Sequence, residues 1–280
     1  MFAPSLKDIF ATAAKLPAAP QVLSELAEIL EDPNANTEDV ALVLDRDGPL
    51  AATILRISNS ALFGSGGVGS IHEAVNRVGF GEVHRLVGYA ATSTLADRAL
   101  SLYNVEAEPL REHMVCSALA AEALATAAGT NPRHSYTAGL LRPIGMLVLD
   151  RLARDKVPIT EAFEAGCDGT YSAWEPRTLH FRNAAVAAVV LNEWRFASEV
   201  VEAVRGHTLL PGAIPPSRGA ALLNLAGWVT DQLGAGLRGE RDLWEPTPEK
   251  LKLAGLSEET VRLQVDEVGS LFDRMQASLQ

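Results

Sequence analysis

One cysteine and one histidine lie a helical turn apart, and they are the first candidates for nucleophilic chemistry in this chain. His113 and Cys116 are three residues apart, so they share one face if their segment is helical. A thiolate beside an imidazole is a common hydrolytic arrangement. The surrounding residues, 110–128, are rich in Ala and Leu, and a single Cys in such a helix is usually a small core residue. The pattern therefore favours a structural thiol, and no Ser-His-Asp order or G-x-S-x-G turn offers another nucleophile.

A glycine-rich stretch at residues 64–69 raises the question of phosphate binding. A P-loop ends in Gly-Lys-Ser/Thr before a helix, and a dinucleotide-binding loop follows a strand and reads G-x-G-x-x-G. Here the preceding segment is predicted to be helical, and no lysine follows. We therefore predict a connection between helices.

The segment 137–150 is an apolar run interrupted by the polar pair Arg142–Pro143. Its apolar residues recur at the spacing of one buried helix face. Proline removes a backbone donor and clashes with the preceding turn, so the helix must bend or restart there. Neither Arg nor Pro is a metal ligand. Taken alone, these residues indicate a packed core helix with a bend at the proline.

Composition and charge limit the classes of function. The chain has 280 residues, 48% hydrophobic and 6% aromatic, with many Ala and Leu, which favours helices. Its net charge of −11 opposes binding to nucleic acid, because the phosphate backbone is also negative. Cys116 and Cys167 lack the CxxC spacing of a zinc or redox pair. No secretory pattern and no run of ~20 apolar residues is present, so we expect a cytoplasmic protein without membrane contact.

Capping and turn signals divide the chain into short helices. Asn36 or Thr37 can cap one helix, and Ser70 opens a capping box for a helix that Gly79 ends. A long apolar helix is predicted over 83–100, and an irregular stretch at 103–109 marks a subdomain boundary. We predict an all-α protein with an N-terminal helical bundle (1–105), a second helical subdomain (106–245) and a C-terminal helical tail (246–280). The amphipathic helix that starts at Ser257 is expected to dock on the body rather than pair with another chain.

Two stretches resemble a known family. The run AGLLRPIG at 138–145 looks like the AGLLHDIG signature of HD-superfamily phosphohydrolases, with the His-Asp pair replaced by Arg142–Pro143. Residues 16–64 resemble the opening of the HDOD domain, through D-P…N-x-E-D, D-x-P-L and L-R-x-x-N-S-A-x-x-G. The similarity runs from about residue 16 to about 237. It implies an HD-like helical second subdomain.

The resemblance also implies where a metal site of the HD enzymes would lie. The family's ligand positions fall, in chain order, on His113, Arg142–Pro143, Asn183, His207–Thr208 and Gly227. Two imidazoles are too few for a catalytic metal, and the charge of Arg142 would repel one. We expect no metal, no cofactor and no catalytic residue.

The remaining residues of that set define a remnant pocket, formed by His113, Arg142, Asn183 and His207, which could bind a small anionic ligand. The alternative is an ion pair of Arg142 with a core-facing acid, such as Glu112 or Asp150. A second candidate is a cleft lined by Arg56, Asn59 and Ser60. There the alternative is that Asn59 and Ser60 bond backbone groups while Arg56 ties helices together.

The function that the resemblance implies is non-catalytic bacterial signal transduction. The chain would bind a protein partner in trans, often alongside cyclic-dinucleotide signalling, or a small ligand, since no sensor, receiver or cyclase domain is attached. The alternatives are a phosphohydrolase with an atypical metal site and a structural adaptor that works through the C-terminal helix.

Overall fold

The computed structural model describes residues 4–17, 19–60, 63–64, 67–207 and 213–277. Within these ranges every regular element is a helix, apart from one isolated antiparallel bridge between Leu100 and Val105. The all-α prediction is confirmed. The α-helices are α1 (Leu6–Ala13), α2 (Ala19–Ile29), α3 (Thr37–Leu44), α4 (Gly48–Ser58), α5 (Ile71–Val78), α6 (Phe80–Leu95), α7 (Ala107–Ala127), α8 (Pro132–Leu141), α9 (Ile144–Ala153), α10 (Ala165–Asp168), α11 (Tyr171–Thr178), α12 (Asn183–Glu193), α13 (Ser198–Gly206), α14 (Arg218–Gln232), α15 (Pro248–Ala254) and α16 (Glu258–Ala277).

The predicted helix starts are formed by side-chain caps. The Asn36 side chain accepts hydrogen bonds from the backbone of Glu38 and Asp39 at the start of α3. The Ser70 side chain accepts from the backbone of Glu73 at the start of α5, but the predicted capping box is incomplete, because the Glu73 carboxylate accepts from the backbone of Gly69 instead of Ser70. Gly79 ends that helix with a φ of 82°. A positive φ is favourable only for glycine, so α5 stops there and α6 begins at the next residue.

Two helix predictions need correction. The helix expected over 83–100 is α6, which begins at Phe80 and ends at Leu95. It ends there because Leu100 pairs with Val105 in extended backbone, and because Arg111 of α7 donates to the carbonyl of Ala96. Helix α11 was not expected, since it is short and contains Pro176.

The long helix α7 lies at the centre of the second half of the chain. It packs along α8 and α14, and α16 lies against both α7 and α14. Helix α9 packs on α12, which in turn contacts α13. In the first half, α2 packs on α6 and α3 on α5, while α1 reaches across to α9 and α12. The boundary at 103–109 stays a prediction.

Two glycines allow the backbones around the centre to approach closely. A Cβ on Gly139 of α8 would lie 2.5 Å from the backbone oxygen of Ser117 in α7. A Cβ on Gly145 of α9 would lie 2.0 Å from the backbone oxygen of Asn183 in α12. The junction between α8 and α9 is therefore held tightly against both neighbouring helices.

The C-terminal helix docks on the body, as expected. Val261, Val268 and Met275 of α16 are buried by α7 and α14. None of the helices in the described ranges combines the length and apolar character that a membrane span requires.

Candidate functional site

Arg142 lies where the central apolar segment is interrupted. Helix α8 ends at Leu141 and α9 begins at Ile144, so Arg142 and Pro143 form the junction. Proline cannot supply the backbone donor that a continuous helix needs, which explains the restart. The Arg142 side chain is only 1% exposed. A charge so far from water must be balanced by neighbouring groups.

Two imidazoles direct a ring nitrogen at this guanidinium. Nδ1 of His113 lies 2.8 Å from the carbonyl oxygen of Ala235, and Nδ1 of His207 lies 2.5 Å from that of Val204. A carbonyl oxygen only accepts, so each Nδ1 carries the proton and each Nε2 is an acceptor. Arg142 donates from Nη2 to Nε2 of His113, and from Nη1 to Nε2 of His207 at 3.2 Å.

A buried carboxylate balances the charge. Arg142 donates from Nη2 to Oε2 of Glu240 at 2.6 Å and from Nη1 to Oε1 at 3.1 Å, which is the fork-shaped pairing of guanidinium with carboxylate. The Glu240 side chain is also only 1% exposed. Nε of Arg142 donates to Oγ of Ser117 at 3.3 Å. We call the group the Arg142 cluster; it consists of His113, Ser117, Arg142, His207, Glu240 and Trp244.

The Trp244 ring packs against the cluster in space that is open because residue 227 is a glycine. A Cβ on Gly227, where the resemblance placed the family's late aspartate, would lie 2.6 Å from the Trp244 ring. The indole is stacked on His207 with 10° between the ring planes. Cζ of Arg142 lies 5.0 Å from the centre of the indole, within the range of a cation–π contact. The absent side chain at Gly227 thus makes room for an aromatic ring.

Both histidines of the cluster are neutral. Burial, followed by the charge of Arg142, lowers the pKa of His207 to about 3. The same two causes, in the same order, hold the pKa of His113 well below its usual value. Neutral rings are also what the hydrogen bonds require, because an imidazolium has no lone pair to accept from Arg142.

The cluster does not fit a metal ion. A metal-binding histidine offers the lone pair of one ring nitrogen while the other donates to a carbonyl or carboxylate. His113 and His207 have that arrangement, but both lone pairs already accept hydrogen bonds from Arg142. No three His, Cys, Asp or Glu side chains within the described ranges are placed to hold a metal ion.

Asn183 belongs to a neighbouring cluster instead. Its backbone N–H and its Nδ2 donate to the Glu175 carboxylate at 2.9 and 2.7 Å, and the Tyr103 hydroxyl donates to the same group at 2.9 Å. Burial raises the pKa of Glu175 to about 7, although these hydrogen bonds act in the opposite direction. Of the four residues predicted for the remnant pocket, His113, Arg142 and His207 are brought together, and Asn183 is engaged by Glu175.

The alternative of an ion pair between Arg142 and a buried acid is confirmed, but the acid is Glu240. The two acids expected for this role, Glu112 and Asp150, are wrong, because both carboxylates bond elsewhere. Glu112 accepts from the side chain of Gln276 at 3.1 Å. Asp150 pairs with Arg154 at 2.7 Å and accepts from the backbone of Leu102 at 2.8 Å. The two expected acids lie in α7 and α9, whereas the acid that pairs with Arg142 lies in the segment that follows α14.

The sequence analysis missed Glu240 and Ser117, and only Ser117 has a local pattern that could have identified it. Glu240 is 98 residues from Arg142 in sequence, and no local pattern links them. Ser117 could have been found, since it follows His113 by four residues and therefore lies on the same face of α7.

The second candidate site, the cleft, is separate from the Arg142 cluster. Nδ2 of Asn59 donates to the carbonyl of Val68 at 3.0 Å, and the Val68 N–H donates to Oδ1 of Asn59 at 2.7 Å. Arg56 is exposed, and the Ser60 hydroxyl has no hydrogen-bond partner among the described residues. The contacts of Asn59 agree with the alternative in which it bonds backbone groups.

Cys116 is unsuited to act as a nucleophile. Its side chain is buried, and burial raises the pKa of the thiol to about 12. The reactive thiolate form is therefore suppressed at neutral pH.

The family model of the HDOD domain matches residues 16–209. This is more than half of the chain. A curated relative from Treponema pallidum (strain Nichols), named only as an uncharacterized protein, is 25% identical over 201 residues, which is 71% of this chain. The chain spans 38% of the length of that relative.

Solved structures share the fold. An HDOD domain protein of unknown function from Geobacter sulfurreducens has a TM-score of 0.70 at 20% identity and covers 96% of this chain and 98% of its own. A Marinobacter aquaeolei VT8 protein, provisionally named a signal transduction protein, has a TM-score of 0.71 at 22% identity and covers 97% of this chain and 64% of its own. A Shewanella amazonensis SB2B protein, provisionally named a phosphohydrolase, has a TM-score of 0.60 at 23% identity. Its alignment covers 97% of this chain and 95% of that protein.

Proposed function

This chain belongs to the HDOD domain family, and we propose that it is a non-catalytic signal-transduction module of the bacterial cytoplasm. In this proposal it acts by binding, either to a protein partner in trans, in a pathway that uses cyclic dinucleotides, or to a small ligand. The alternative is a metal-dependent phosphohydrolase that uses the same part of the fold.

The observation that carries the proposal is the fork-shaped ion pair between Arg142 and Glu240. Hydrolysis of the HD type needs a metal ion that lowers the pKa of a bound water and stabilises charge on the phosphoryl group. A guanidinium supplies positive charge, but it has no open coordination position at which water could be activated. Its five N–H donors are also directed mainly at protein acceptors here.

The same ion pair bears on the small anionic ligand predicted at the remnant pocket. Such a ligand would have to displace the Glu240 carboxylate from Arg142, because the charge of the guanidinium is already matched. We therefore place protein or ligand binding by this module elsewhere on its surface. The adaptor alternative receives less support, because the apolar face of α16 is used for docking on α7 and α14.

Metal content tests the proposal. The purified protein is incubated with manganese, iron or zinc, passed over a desalting column and measured by elemental mass spectrometry. We expect less than about a tenth of an equivalent of any metal, and no hydrolysis of bis-p-nitrophenyl phosphate, because the family's hydrolysis depends on metal.

The control is His113→Ala, which removes one imidazole of the cluster. Near one equivalent of bound metal, lost in His113→Ala together with phosphodiesterase activity, would establish the phosphohydrolase alternative instead. A metal that is retained in His113→Ala would be bound elsewhere and would leave the proposal standing.

A further inference from the structure

A cavity of about 300 Å³ lies between α7, α8, α13 and α14. None of the residues that line it belongs to the Arg142 cluster. The volume is at the lower end of the range for small-molecule sites, which is roughly 300–1,000 Å³. Its lining residues come from four helices and from the turn that joins α7 to α8, so it is shaped by packed elements rather than by one loop.

The floor of the cavity is apolar and built from small side chains. Alanines from three helices and two leucines form it; these are Ala121, Ala138, Ala203, Leu222 and Leu223. All of them are buried in the core. An alkyl group on this floor would gain dispersion contacts and would bury its apolar surface away from water. The floor side chains offer it no hydrogen-bond partner.

The rim of the cavity carries two carboxylates. Glu199 and Glu202 lie one turn apart on α13, so both face the same side of that helix. Hydrogen bonds from its own backbone and from the Ser198 hydroxyl lower the pKa of Glu199, which keeps it ionised. Within the described ranges, the ion pairs involve neither glutamate.

The basic residues at the cavity are already engaged. The guanidinium of Arg218 donates to the carbonyl of Ala254 at 3.0 Å and to that of Ala128 at 2.6 Å, at the ends of α15 and α7. His134 pairs with Glu31 at 3.1 Å. Hydrogen bonds to carbonyl oxygens use the N–H donors of Arg218 but leave its charge in place. The lining therefore carries two carboxylates against one guanidinium, an excess of negative charge that favours a cation.

We propose that this cavity binds a small organic cation, namely a primary ammonium attached to a short unbranched alkyl chain. The alkyl chain would lie on the alanine and leucine floor. The ammonium would remain at the rim between Glu199 and Glu202, partly hydrated, as a lysine side chain does when its stem is buried. The two carboxylates would repel an anion, and a neutral alkyl compound would form no ion pair with them. This inference goes beyond the proposed function. The metal test of that function concerns the Arg142 cluster, so its result does not depend on whether this cavity binds a cation.

Matched five-carbon probes test the proposal on the full chain. Binding of n-pentylamine, n-pentanol and pentanoate is measured at pH 7.5 by chemical-shift changes in two-dimensional NMR spectra. We expect the ammonium to bind about fivefold more tightly than the alcohol, in line with two weak exposed charge interactions, and pentanoate to bind least. Raising the salt concentration should reduce this preference, because exposed charges are screened.

Three variants assign the binding to the cavity. Glu199→Gln combined with Glu202→Gln should bring the ammonium to the affinity of the alcohol, whereas Glu193→Gln, which is exposed on α12 outside the cavity, should leave the preference unchanged. Ser135→Leu, on the cavity face of α8, should weaken the binding of both the ammonium and the alcohol, because the larger side chain fills the cavity. Equal binding of the ammonium and the alcohol to the unmodified protein, or a preference that survives the double substitution, would overturn the proposal. Circular dichroism checks that each variant is folded, and the double variant changes only exposed side chains.

Discussion

Two imidazole lone pairs converge on a positive charge, as they would on a metal ion, but here the charge belongs to the side chain of Arg142. Nε2 of His113 and Nε2 of His207 both accept from its guanidinium, and Glu240 supplies the counter-charge. Such a buried pair is costly to assemble, because both ions lose their hydration. It becomes indispensable once formed, since removal of either partner leaves the other charge buried without compensation.

This reasoning predicts the effect of neutralising one partner. Glu240→Gln keeps the shape of the side chain and removes its charge, so it should lower the free energy of unfolding by about 3–5 kcal/mol. Urea unfolding followed by circular dichroism measures the change. The matched control is Glu267→Gln, exposed on α16, which should stay within about 0.5 kcal/mol of the unmodified protein. A loss below 1 kcal/mol for Glu240→Gln would mean that the fork-shaped pair is not formed in solution.

At the scale of elements, the position of Arg142 depends on how closely four helices approach one another. Gly139 lets α8 lie on the backbone of α7, and Gly145 lets α9 lie on the first residue of α12. These contacts fix both sides of the α8–α9 junction. Small side chains at a helix contact permit this approach, since any Cβ would have to occupy space that backbone atoms already fill.

Two glycine substitutions should therefore act in opposite directions. Gly145→Ala places a Cβ 2.0 Å from the backbone oxygen of Asn183, and backbone cannot move aside as a flexible side chain can. We expect a loss of about 3 kcal/mol or more, at the upper end of overpacking effects. Gly81→Ala, in the exposed first turn of α6 with no atom within 4 Å of the new Cβ, should stabilise by about 0.4–1 kcal/mol. Thermal and urea unfolding of both variants tests the pair, and equal effects would contradict the close approach of α9 and α12.

At the scale of the whole molecule, three histidines within the described ranges are buried in the neutral state. Burial lowers the pKa of His84 and of His207 to about 3, and it holds the pKa of His113 well below its usual value. His84 differs from the other two, because neither of its ring nitrogens has a hydrogen-bond partner among the described residues. Glu175 acts in the opposite sense, since burial raises its pKa to about 7.

The stability of the protein should consequently fall in mild acid. Below about pH 6.5 the unfolded chain protonates these histidines while the folded chain does not, so the free energy of unfolding decreases as the pH falls towards 3, by about 1.4 kcal/mol per pH unit for each histidine. Between about pH 4.5 and 7, Glu175 offsets one of them, because the folded state retains its proton and the unfolded state releases it.

The variant that isolates this effect is His84→Leu. It removes one titrating group and two unpaired nitrogens without breaking a hydrogen bond, so the slope between pH 4 and 6 should become shallower by about 1.4 kcal/mol per pH unit. Urea unfolding at a series of pH values measures the slopes. Parallel profiles for the variant and the unmodified protein would show that His84 is protonated or exposed in the folded state.

What the sequence determined by itself was mostly local. The caps at Asn36 and Ser70, the stop at Gly79 and the interruption at Arg142–Pro143 depend on backbone preferences and on contacts within four residues, so each could be predicted from nearby side chains. The amphipathic pattern also predicted that α16 docks on the body. The family motifs singled out His113, Arg142 and His207 because they occupy recognisable positions.

Only the tertiary structure decided what those residues do. Glu240 and Trp244 reach Arg142 through the packing of α14 and of the segment that follows it, and neither carries a local signal. Asn183 bonds to Glu175 because α11, a helix that propensity did not indicate, places a buried carboxylate at the start of α12. The physical reason is that helix formation is governed by neighbours along the chain, whereas the pairing of buried charges and the shape of a cavity are set by which distant surfaces pack together.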